Sequence, residues 1–80
     1  MNQINGILMY SASTCPHCKR AKRWLIDNGI PFTNFDVLED QNAREKMINV
    51  SGQMGVPVIV IGDDVVVGFN QPLLKEKLGI

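Results

Sequence analysis

Of the residues that most often carry chemistry, this 80-residue chain has few: two cysteines, one histidine, one tryptophan and one tyrosine. Two cysteines are too few for a small disulfide-stapled scaffold, which needs more than one bridge. A structural zinc takes four ligands, and Cys15, His17 and Cys18 supply three at most, all within one short stretch. Covalent haem attachment needs a histidine directly after the second cysteine, where Lys19 stands. The opening "MNQINGILMYS" has no basic stretch, and its one apolar run, Ile7 to Tyr10, is too short for a signal peptide or a membrane span. The expected compartment is therefore the cytosol, whose reducing conditions disfavour a permanent structural disulfide. An excess of one charge is missing too. Eight Lys and Arg balance eight Asp and Glu, so no global field points to nucleic acid or to a membrane surface. Repeats, linkers and low-complexity stretches are also lacking, and one domain over residues 1–80 is expected.

What is there is patterned like a compact globule, 45% hydrophobic and 20% charged. "INGILMYS" (4–11) is a short apolar run that suits a strand buried on both faces. Pro16 favours a helix start, and Cys18, Ala21 and Leu25 follow on one helical stripe with Lys19, Arg20, Lys22 and Arg23 largely off it. Gly29 and Pro31 end that helix. "PFTNFDVL" (31–38) suits a second strand, and residues 40–52 a second helix with Ala43, Met47 and Val50 inward, stopping at Gly52. "VPVIVIG" (56–62) and "VVV" (65–67) form a hairpin about "GDD" (62–64), and residues 70–80 a last helix with Leu73, Leu74 and Leu78. The order β-α-β-α-β-β-α implies a parallel pair in front and an antiparallel hairpin behind.

"TCPHC" (14–18) is where chemistry is expected. With Cys15 capping the helix that Pro16 opens, its sulfur faces unpaired backbone N–H groups and the positive end of the helix dipole. Both favour thiolate, which can bring a cysteine from about 8.5 down to roughly 3.5–7.5. His17 and the cations after Cys18 add positive potential, weakened by screening where exposed. Cys18, one turn inside, should be the more buried and less acidic sulfur. Cys15 is thus the expected nucleophile on a disulfide, and Cys18 the thiol that releases it. Two inert core thiols would not need Pro-His between them at a strand-to-helix junction.

The stretch from Tyr10 to Cys18, with Cys-Pro-His-Cys after a strand, resembles the active site of glutaredoxins, small proteins of the thioredoxin fold. Gly55-Val56-Pro57 stands where that family has Thr-Val-Pro with a cis proline, and Gly68 at the second glycine of its Gly-Gly turn. The resemblance runs over essentially the whole chain. It implies a four-stranded mixed sheet flanked by three helices, and a cleft of Thr14, Val56, Pro57, Gly68 and Phe69 beside Cys15. It further implies a monomeric electron carrier whose only redox group is the Cys15–Cys18 pair, with no metal. Pro16 and His17 would tune the pair.

Two departures bear on the electron donor. Glutathione-using members carry a lysine where this chain has Ala12, and acidic residues where it has Asn70 and Gln71. "VVVGFNQP" also resembles the ribonucleotide-reductase redoxins, which have Ser-Gly-Phe-Arg-Pro there and take electrons from a flavoprotein disulfide reductase. Asn70 replaces the arginine of that motif, and Pro72 comes one residue late. A thioredoxin-reductase-like flavoprotein is the expected donor, with glutathione as the alternative, and the acceptor is a protein disulfide such as that of a ribonucleotide reductase or a peroxidase. A non-catalytic metal or iron–sulfur carrier is the alternative of another class, disfavoured by Pro16 where cluster binders tend to have glycine. Trp24 is expected to pack partly buried on the first helix, and the basic run either to form a solvated helix face or to steer an acidic protein partner.

Overall fold

Four short strands form the sheet, of which the last two are rich in β-branched residues. In the computed structural model, which describes residues 6–80, β1 (Leu8–Ser11), β2 (Thr33–Asp36), β3 (Val58–Ile61) and β4 (Asp64–Val67) make one sheet in the order β2-β1-β3-β4. β1 is parallel to β2, with Tyr10 level with Phe35, and antiparallel to β3, with Tyr10 level with Val58. β3 and β4 form the expected hairpin. Residues 4 and 5 of the expected first strand lie outside the described residues.

Three helices cover the sheet: α1 (Pro16–Asp27), α2 (Gln41–Ser51) and α3 (Gln71–Leu78). Each starts at a side chain that accepts from a backbone N–H in its first turn. Cys15 accepts from Cys18 at 3.3 Å, Asp40 from Ala43 at 3.1 Å and Asn70 from Leu73 at 3.2 Å. Among the described residues no helix is long and apolar enough to cross a membrane.

Strand alternation divides the core into two layers. Ile7, Met9, Ile59, Ile61 and Val66 meet Cys18, Ala21 and Leu25 of α1 and Leu74 and Leu78 of α3. On the opposite face Tyr10 and Val58 meet Val37 and the Ala43 and Met47 side chains of α2. Coverage on both faces explains why Leu8 to Tyr10 of β1 and all of β3 are apolar. Buried Ser11 donates to Asn34 Oδ1 at 2.7 Å.

The first three strands are shorter than the runs expected to form them, whereas β4 takes in Asp64, expected in the turn, because Asp64 pairs with Ile61. Val56 and Pro57 stay outside β3, since proline has no N–H for the ladder. Val50, expected inward on α2, is 47% exposed. Half-buried Ile48 packs on the α2-side cluster instead. The buried sector is turned towards Ile48, which leaves Val50 on its solvent flank.

Candidate active site

Pro16 is the first residue of α1, which leaves Cys15 as its cap in extended backbone at φ −95° and ψ 114°. The Cys15 N–H donates to the Ala12 carbonyl at 3.0 Å, closing the turn through exposed Thr14. The sulfur is thereby turned onto the first helical turn. Cys15 is partly exposed, whereas Cys18 is 0% exposed and belongs to the α1–α3 layer of the core.

Two loops close on this sulfur from the sheet side. The Val56-Pro57 peptide bond is cis, and the Val56 carbonyl lies 4.0 Å from Cys15 Sγ. Gly68 donates its N–H to the Pro57 carbonyl at 2.7 Å and has φ +84°, a conformation that suits a residue without Cβ. Phe69 then turns back to α1, edge-on to Trp24 with ring centroids 6.2 Å apart. The expected constellation of Cys15, Cys18, Val56, Pro57 and Gly68 is therefore contiguous, with Phe69 joining it to the flank of α1. A groove of about 910 Å³ runs along Gly68, Phe69 and Gln71 to Lys75 and is not lined by either cysteine. Cys15 lies against the Val56 backbone rather than in that groove.

The two thiols are electrostatically unlike. Burial pushes Cys15 up, but the Cys18 thiol and the backbone N–H groups of Cys18 and His17 outweigh it, so Cys15 lies below its usual value. His17 reaches the sulfur through its backbone, while its side chain is exposed. Cys18 is pushed up to about 11, first by burial, then by its hydrogen bond to Cys15 and the nearby Cys15 charge. A backbone hydrogen bond at Ala12 and the Lys22 ammonium act in the opposite sense. Among the described residues no group of three or more His, Cys, Asp or Glu comes together to hold a metal ion.

Gln53 is a site-supporting residue that its polarity alone did not disclose. Its carboxamide folds over Gly55: Oε1 accepts from the Gly55 N–H, and Nε2 donates to the Gly55 carbonyl at 3.0 Å. Ser51 Oγ holds the same amide at 3.3 Å. A Cβ at residue 55 would sit 2.7 Å from Gln53 Oε1, so the glycine here serves space rather than backbone torsion. The visible signal was Gly55 itself, in the place of a threonine.

The glutaredoxin family model matches residues 7–66. A glutaredoxin-like 8.6 kDa protein in a rubredoxin operon of Clostridium pasteurianum is 45% identical over 72 residues, covering 90% of this chain and 96% of the relative. The glutaredoxin-like protein NrdH of Lactococcus lactis is 33% identical over 70 residues, 88% of this chain and 96% of that protein. The crystal structure of a glutaredoxin from Archaeoglobus fulgidus superposes with a TM-score of 0.84 at 39% identity, covering 90% of this chain and 84% of that one. With the dithiol, the Val56-Pro57 turn and most of the sheet inside the match, the chain belongs to the glutaredoxin family.

Proposed function

We propose that the protein is a cytosolic, monomeric thiol–disulfide oxidoreductase that reduces disulfides of other proteins. The observation that carries this is the division between the two sulfurs: one partly exposed and acidified, the other buried and pushed up to about 11. The Cys15 thiolate attacks one sulfur of the acceptor disulfide. The acceptor S–S bond breaks, its other sulfur leaves as thiolate, and a mixed disulfide forms. Cys18, losing its proton, then attacks Cys15 Sγ. The acceptor leaves with two electrons and the protein holds a Cys15–Cys18 bridge. An extended acceptor segment would pair with the Val56 backbone beside the sulfur. Cys15→Ser is expected to abolish turnover. Cys18→Ser is expected to accumulate the mixed disulfide, whose mass identifies the partner; wild-type turnover by Cys15→Ser refutes the assignment.

The oxidised pair is recharged, in this proposal, by a thioredoxin-reductase-like flavoprotein. Ala12 is buried and offers no cation, and Asn70 and Gln71 offer no carboxylate to hold a small zwitterion such as glutathione. Capping of α3 does not explain the missing charge, since aspartate caps as well as asparagine. The acceptor class that the sequence resemblance suggests is a ribonucleotide reductase or a peroxidase. Turnover with NADPH and a thioredoxin reductase is expected to exceed turnover with glutathione and glutathione reductase by at least ten-fold. The reverse order assigns glutathione as donor.

A further inference from the structure

Directly beyond the dithiol, the exposed side of α1 and the start of α3 enclose a second groove of about 440 Å³. Its floor is aromatic, Trp24 against Phe69, and its rim carries the cations Lys19, Arg20 and Arg23 with one carboxylate, Asp27. Arg23 is paired with Asp27 at 3.2 Å. Lys19 and Arg20 have no ion-pair partner among the described residues. A neutral protein has thus gathered four of its eight cations within residues 19–23, beside its nucleophile. Phe69 and Gln71 line both this groove and the one along Gly68. A chain lying along Val56 and passing Gly68 therefore crosses Phe69 into the basic groove.

The geometry points to this groove as the docking site for an acidic segment next to the disulfide of the acceptor protein, an inference that rests on the oxidoreductase function proposed above. Lys19 and Arg23 follow Cys15 by four and eight residues, about 6 and 12 Å along the helix at 1.5 Å per residue. An extended segment advances about 3.3 Å per residue, so carboxylates about two to four positions from the attacked cysteine meet the cations. An apolar side chain among them covers the Trp24–Phe69 floor. Free carboxylates in solution would be screened within roughly 8 Å at physiological salt; attachment to a segment already tethered through Cys15 makes their contact intramolecular.

The test is single turnover by the pre-reduced protein, which itself supplies the two electrons. Three peptides share one intramolecular Cys–Cys disulfide and differ in the flanking residues: Glu and Leu, Lys and Leu, or Gln and Leu. The acidic peptide is expected to be reduced at least ten-fold faster than the basic one at low salt, with the ratio shrinking in 0.5 M NaCl. In the Lys19→Glu/Arg20→Glu variant the ratio of acidic to Gln-flanked rates should fall below one. Equal rates for the three peptides, or a preference that survives charge reversal, overturns the inference. It is overturned as well if the variant slows reduction of glutathione disulfide by the same factor, since the cations then act on any anion. Failure to reduce even the Gln-flanked peptide would count against the oxidoreductase function instead.

Discussion

Cys15 and Cys18 control one another's protons, and the control changes during the cycle. While Cys15 is a thiolate, its charge and hydrogen bond help to hold Cys18 up near 11. Once Cys15 is in a mixed disulfide that charge is gone, and burial is left against Ala12 and Lys22. Cys18 thus becomes easier to deprotonate at the step that needs it. Thiolate absorbance is expected to show Cys18 titrating lower in Cys15→Ser than in the wild-type protein. The same groups set a pH dependence of stability. Cys15 is more acidic folded than unfolded, so its contribution is present above the unfolded value of about 8.5 and is lost as pH falls through the folded one. Cys18 runs the other way: its contribution is present below about 8.5 and is lost as pH rises towards 11. The melting temperature of the reduced protein minus that of the oxidised protein should therefore peak near pH 8.5, roughly the unfolded thiol value. Gln53 yields a separate prediction. Gly55→Thr drives the carboxamide off the loop at little steric cost, because the displaced atom ends a flexible side chain. A several-fold rise in KM for a peptide disulfide is expected, with the fold intact by circular dichroism. Gln53→Ala removes the same two hydrogen bonds and should match it; a silent Gln53→Ala would mean that the clamp does not position Val56.

Among the elements, α1 is both scaffold and reagent. Its cap atom is the proposed nucleophile, so the Cys18 N–H that would otherwise need a serine or aspartate is met by sulfur. This much was legible in the sequence, because Pro16 marks a helix start and the stripe Cys18, Ala21, Leu25 orients it. The apposition of Val56 and Gly68 was legible only through family resemblance, since residue spacing says nothing about which loops meet across a sheet. The rotation of α2 that exposes Val50 was not legible: periodicity places residues 43, 47 and 50 on one face, and tertiary packing by Ile48 decides where that face is centred. α2 stands away from the dithiol, which makes its cap a clean control. Asp40→Ala removes the bond to the Ala43 N–H and should cost about 1 kcal/mol. For a domain of this size that corresponds to roughly 4–8 °C in Tm, with the Cys15 alkylation rate unchanged.

At the scale of the molecule, the sheet separates a layer that contains the dithiol from one that does not. Leu25 packs in the same cluster as Cys18, while Met47 packs on the far face. Truncating either to alanine should cost about 2–5 kcal/mol, a large share of what so small a domain has in reserve. Leu25→Ala is expected to change the pH midpoint of Cys15 alkylation as well as stability, and Met47→Ala stability alone. The burial of Cys18 has a further consequence for how the protein handles its clients. A sulfur with no exposed surface cannot be approached by a disulfide from outside, so its one available reaction is with its neighbour. In the proposed reaction the chain consequently carries a single covalent guest and never bridges two, and the guest's departure is timed from within the host's own core.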